Sequence, residues 1–256
     1  MQEDLTLTHT AIPPPPFPET HPSPIAPWLH TMGLLMILAL STFTGHRRLL
    51  AFAHHPSIPF RYGSSIVLEW LLLGFVLARI RNRKAFLLQA FRSRSSTWLQ
   101  SLGNGIAAYC LGFVAIAIVA IAIHFTPLGT KTNAAAMLAM LPRTTSQFAL
   151  WLALSLTAGI CEELIFRGYL TQQFTAWIRR PVLALVLSSL LFGSVHLYEG
   201  LAAILPLAAL ALVYGFIVRS LKGDIRAVIV AHTLQDFLVA VLALARPMLE
   251  HYRMQH

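Results

Sequence analysis

Ionisable side chains stand inside three long apolar stretches in the second half of this 256-residue chain. An ionisable group within a membrane helix costs at least about 2.5–3.5 kcal/mol on insertion scales. Packing alone does not explain a cluster of such groups, so we interpret them as parts of one site inside a helical membrane protein. The residues are Glu162, Glu163, Arg167, His196, His232 and Asp236.

The first stretch reads ALWLALSLTAGICEELIFRGYL. Glu163 and Arg167 are four residues apart, with the acid N-terminal to the base, so they share a helix face and can neutralise each other. Glu162 is rotated by about 100° from Glu163 and is predicted to be the free carboxylate. The alternative places all three at a helix end among lipid headgroups. The apolar residues 164–166 argue against it.

The two later stretches each contribute an imidazole. Phe192 and His196 share a helix face at a spacing of four, although a single His near a helix end is more often a packing or interfacial residue. His232 and Asp236 have the same spacing. A neighbouring carboxylate favours the imidazolium form and orients the ring. The alternative is a structural His–Asp bond between this helix and a neighbour.

These groups could hydrolyse an amide. A free carboxylate and a neutral imidazole can together remove a proton from water. A second imidazole, held cationic by Asp236, can stabilise an oxyanion. Cys161 is interpreted as a small packing residue rather than a nucleophile, which favours direct attack by water. Two His and carboxylates could also bind Zn²⁺, but the HExxH spacing of thermolysin-like enzymes is missing.

The composition predicts the elements that position these residues. The chain is 56% hydrophobic and 11% charged, whereas soluble domains are about 25% charged. Its apolar runs are continuous rather than alternating, which favours helices over a barrel. We predict an all-α, polytopic membrane protein with about seven transmembrane helices. The runs are 28–44, 64–80, 103–125, 148–170, 181–197, 201–218 and 227–244.

The net charge of +9 is attributed to the loops between the apolar runs. Anionic lipid headgroups are therefore the expected partner, and nucleic acid is not. Most loop Lys and Arg residues fall in 79–102, 171–181 and 219–226, which predicts that these loops face the cytoplasm. His196 lies nearer the opposite face. The orientation therefore stays open.

Three motifs occur in order on successive apolar runs: EELIFR fits EExxxR, FGSVH fits FxxxH, and HTLQD fits Hxxx(N/D). Over 148–244 the chain resembles the CPBP family of intramembrane glutamic endopeptidases. These are related to CAAX prenyl proteases and to bacteriocin-processing or Abi proteins.

The resemblance implies a peptide or protein substrate at the membrane. We expect no cofactor, with Zn²⁺ held by the same residues as the alternative. The resemblance also implies that Glu162 and His196 activate water, and that His232 and the residue at 236 hold the oxyanion. Many eukaryotic relatives have Asn at that last place. An ionised Asp236 cannot donate a hydrogen bond, so it is either protonated or acts through His232.

Three regions are predicted. Residues 1–27 form a Pro-rich disordered tail, 28–147 form transmembrane helices with a basic amphipathic loop at 85–102, and 148–246 form the CPBP-like catalytic core. The expected location is a bacterial cytoplasmic membrane. A zinc-dependent hydrolase and a transporter or scaffold with a buried charge relay remain as alternatives.

Overall fold

The computed structural model describes residues 23–50, 57–91 and 97–255, and every regular element within them is helical. The predicted all-α class is confirmed. The α-helices are α1 (Trp28–Leu50), α2 (Ile58–Ala78), α3 (Arg83–Phe91), α4 (Trp98–His124), α5 (Ala134–Ala139), α6 (Thr145–Glu163), α7 (Thr171–Ile178), α8 (Pro181–Val195), α9 (Leu201–Ser220) and α10 (Arg226–Gln255). Two short 3₁₀ turns cover Pro127–Thr130 and Leu197–Glu199, and a π-helical segment covers Leu164–Leu170.

Five helical segments of the described chain are long and apolar enough to cross a membrane. They are Trp28–Gly45, Ile58–Ala78, Trp98–His124, Thr145–Ile178 and Leu201–Ser220. The shorter apolar helix Pro181–Val195 corresponds to the fifth predicted run. The seventh run falls in α10. The protein is a polytopic helical membrane protein.

Helix α6, which carries the two adjacent glutamates, packs against two other helices of the bundle. It lies against α2 on one side and α10 on another, while α4 contacts α9 and α10, and α8 contacts α9. Gly159 sits at the α6–α10 crossing, where an added Cβ would meet Thr233 Oγ1. Small residues of this kind let membrane helices approach closely. The close crossing brings the charged end of α6 against α10.

The π-helical segment interrupts the long helix directly after Glu163. The backbone carbonyl of Phe166 accepts the backbone N–H of Thr171. It also accepts hydrogen bonds from Thr171 Oγ1 at 2.8 Å and from Ser188 Oγ at 2.9 Å. Ser188 thus connects α8 to the π segment, which carries Arg167.

Two predicted regions have different limits in the structure. Residues 1–22 of the predicted tail lie outside the described residues, but its end is packed. Buried Gln173 donates to Ala26 O at 2.9 Å and accepts from Ile25 N at 3.0 Å.

The predicted surface helix at 85–102 is shorter, because Thr97 and Gln100 form a capping box that starts α4.

Candidate active site

The structure brings all seven predicted site residues to one region of the bundle. Two lie at the end of α6, one in the π segment, two at the end of α8, and two in α10. They are Glu162, Glu163, Arg167, Phe192, His196, His232 and Asp236. Three helices that are far apart in sequence therefore meet at the three motifs.

Glu163 connects two of these elements. Its Oε1 lies 2.9 Å from Arg167 Nη1, so the predicted ion pair is present. The same oxygen lies 2.8 Å from His232 Nδ1. Because a carboxylate oxygen accepts, the imidazole Nδ1–H is the donor. Glu163 is fully buried, so the contact is shielded from water.

This geometry corrects the role predicted for Asp236 as the group that orients His232. Asp236 Oδ2 is 3.7 Å from His232 Nε2, beyond hydrogen-bond distance. Glu163 orients the ring instead, since the crossing of α6 and α10 places it beside Nδ1. His232 Nε2 then faces Asp236 and Glu162, whose Oε2 is 3.9 Å away. These two carboxylates are 30% and 21% exposed, so this is the more exposed side of the ring, called the open side below.

His196 has a defined orientation. It ends α8, and its Nδ1 lies 2.8 Å from the carbonyl oxygen of Phe192. A carbonyl can only accept, so Nδ1 carries a proton and Nε2 of the neutral ring is an acceptor. Its ring lies 4.8 Å from that of Phe192 and 5.7 Å from that of Tyr198. His196 is thus held in the tautomer that a general base requires.

Phe192 forms the apolar wall between these groups. The Arg167 guanidinium carbon lies 4.3 Å from its ring centroid, a cation–π contact. The ring of His232 is 6.0 Å away at 78°. Phe192 is 2% exposed and therefore excludes water from the Glu163–Arg167 pair.

Sequence reasoning missed three residues near the site. Trp151 Nε1 donates to the backbone carbonyl of Asp236 at 2.9 Å, across the α6–α10 crossing. Glu199 accepts from Tyr198 and interacts electrostatically with His196. Burial raises the pKa of Glu199 above its usual value, although Tyr198 and His196 oppose the shift.

Glu69 of α2 is the third. It interacts electrostatically with Glu162, His232 and Asp236. A signal for it was visible in the sequence, because Glu69 is the one carboxylate within its apolar run.

Zinc binding has no supporting geometry among the residues that the structure describes. No group of three or more His, Cys, Asp or Glu side chains there is arranged to hold a metal ion. The metal dependence therefore stays a question for experiment.

Residues 144–238 match the family model described as type II CAAX prenyl endopeptidase, Rce1-like. This segment is similar to that family. The match confirms the resemblance predicted from the three motifs and includes all seven predicted site residues. The matched family is one of endopeptidases. The Rce1-like segment covers less than half of the chain, and Glu69 lies outside it. No curated protein and no solved structure matches the chain.

Proposed function

We propose that the protein is an intramembrane endopeptidase that hydrolyses a peptide bond with a water activated by Glu162 and His196. The observation that carries the proposal is that two imidazoles contact Phe192 and that two partly exposed carboxylates lie beside one of them, His232. A transporter relay would instead spread its charges through the depth of the membrane. The Rce1-like match supports a peptide or protein substrate at the membrane.

The first step is attack by water on the scissile carbonyl carbon. Glu162 is a suitable acceptor for the proton, because Arg167 is paired with Glu163 rather than with it. His196 presents Nε2 as a second acceptor, since its Nδ1–H is bonded to Phe192. Together they take the proton as the C–O bond forms.

The second requirement is a donor for the tetrahedral oxyanion. In this proposal His232 is cationic. Its Nδ1–H is bonded to Glu163, so the Nε2–H on the open side is available to the oxyanion. The intermediate then collapses, the C–N bond breaks, and the proton taken from water passes to the leaving amine. Asp236 lies beside Nε2 and stabilises the cation through its charge.

The test uses purified protein in lipid nanodiscs with prenylated and unprenylated peptides that end in C-a-a-X. The wild type should release a C-terminal fragment, and Glu162→Ala should not. Comparing membrane proteomes of cells with the wild type and with Glu162→Ala would find other substrates. Fragments that are equally abundant in both strains, together with inert peptides, would contradict the proposal.

A further inference from the structure

Glu69 is a partly buried carboxylate on α2 that the proposed reaction does not use. Tyr62, Glu69 and Val76 are seven residues apart and therefore lie on one stripe of the helix. Tyr62 packs edge-on against Trp151 of α6 at 5.3 Å, and Val76 is fully buried. Glu69 lies on the same stripe, so its side chain faces α6 rather than lipid. A carboxylate in that position destabilises the fold unless a partner offsets the free energy lost on removing it from water.

Groups from two helices face Glu69. From α6 they are Glu162 and the thiol of Cys161, and from α10 they are His232 and Asp236. The first helix also packs on α2, but there its titratable group, His30, stacks on Phe75 at 4.2 Å. The carboxyl groups of Glu69, Glu162 and Asp236 therefore interact with one imidazole, whose Nδ1 is already bonded to Glu163. Like charges that interact at a site removed from water favour a state in which at least one of the groups keeps its proton.

Two buried carboxyl oxygens without hydrogen-bond partners among the described residues indicate a place for that proton. Glu69 Oε2 and Glu162 Oε2 are both buried, and neither has a hydrogen-bond partner within the described part of the chain. A buried polar atom without a partner destabilises a fold, and a carboxylate more so. One proton between the two groups gives each oxygen a partner and removes one of the two charges.

We propose that Glu69 is protonated and donates a hydrogen bond, directly or through one water, to Oε2 of Glu162. Glu69 is then a positioning residue, since it acts on the substrate only through Glu162. The donated bond holds the carboxylate of Glu162 in place and favours its ionised form. Its consequence for catalysis rests on the proposed role of Glu162 as the base.

Infrared spectroscopy tests the shared proton without any need for activity. A protonated carboxyl group has a C=O stretch separate from that of a carboxylate. The wild type near neutral pH should show this band, Glu69→Gln should lose it, and Glu162→Gln should shift it by removing its partner. A band that persists unchanged in Glu69→Gln would overturn the proposal.

The pH profile of kcat/KM tests the consequence. Glu69→Leu removes the donor, so Glu162 should protonate more easily and the acidic limb should move up by about one pH unit. Glu69→Gln keeps an N–H donor and should leave the limb near that of the wild type. Leu71→Ala, at a position 65% exposed on the same helix, is the control. If Glu69→Leu lowers the rate but leaves the acidic limb of the profile unmoved, Glu69 has only a structural role. That result would refute the proposal that Glu69 positions Glu162.

The two proposals fail in different ways. A wild type inert toward every peptide contradicts the proposed function, while the infrared band still decides whether Glu69 holds the proton. If the wild type is active but shows no infrared band from a protonated Glu69, only the proposal about Glu69 is contradicted.

Discussion

Glu163 Oε1 lies 2.8 Å from His232 Nδ1, joining residues that are 69 positions apart. The same oxygen is 2.9 Å from Arg167 Nη1, so one buried carboxylate neutralises a guanidinium and orients an imidazole. Glu162, its neighbour in sequence, points to the open side. Adjacent residues of identical type thus have different surroundings and, we expect, different roles.

Substitution of the two glutamates should separate those roles. Glu162→Gln keeps the shape of the side chain and removes its basicity, so proteolysis should be lost with little change in thermal unfolding. Glu163→Gln leaves Arg167 without its charge partner and should destabilise the fold by about 3–5 kcal/mol. Activity assays and unfolding curves in the same detergent measure both effects. The opposite pattern would show that the roles are exchanged.

Asp236→Asn should retain substantial activity, because Glu163 rather than Asp236 orients His232. The bond from Trp151 reaches the backbone of residue 236, so the substitution leaves it intact. The alkaline limb of the pH–rate profile should move to lower pH, because Asn removes the charge that stabilises the cationic His232. An unmoved limb would mean that the charge of Asp236 is not needed to keep His232 protonated. Asp236→Leu should be inactive, and full activity in that variant would exclude residue 236 from the site.

Metal dependence can be measured directly. If Glu162 and His196 activate water without a metal, purified protein should contain no stoichiometric zinc. Chelators should then leave proteolysis unchanged. Elemental analysis that finds about one tightly bound zinc per chain would contradict this mechanism.

Glu199 should make stability depend on pH. Burial raises its pKa, so the folded protein holds this proton more tightly than the unfolded chain does. As pH rises from the usual pKa of about 4.3 towards the raised value, the free energy of unfolding should therefore fall. Glu199→Gln should abolish the share of this decrease in unfolding free energy that comes from Glu199. Tyr198→Phe loses the hydroxyl bonded to Glu199, so the decrease should continue to higher pH. Identical profiles in all three proteins would refute this assignment.

Gly159→Ala should weaken the crossing of α6 and α10. Its Cβ would meet Thr233 Oγ1 and lie 3.1 Å from the carbonyl oxygen of Ile229. We expect a loss of about 1–3 kcal/mol in unfolding free energy and a lower kcat, because the helices bearing Glu163 and His232 must separate. Gly103→Ala is the control, since its Cβ would meet nothing within 4 Å. Equal effects of the two substitutions would argue against a tight crossing.

Local periodicity determined much of this protein from sequence alone. The apolar runs predicted the helices, because each run must satisfy its own backbone in lipid. A spacing of four predicted the Glu163–Arg167 pair, since both residues lie on one helix and need no knowledge of its neighbours. The ordered motifs also predicted the resemblance that the Rce1-like match confirms. The individual catalytic roles stay predictions.

Tertiary structure decided which groups meet across helices. The bond from Glu163 to His232 depends on how α6 and α10 rotate about their crossing, and no sequence spacing encodes that rotation. The same holds for Glu69, which interacts electrostatically with Glu162 only because α2 packs along α6. The tautomer of His196 required the position of one carbonyl at the end of α8. Helix periodicity is a local property, whereas these contacts follow from the packing of whole helices.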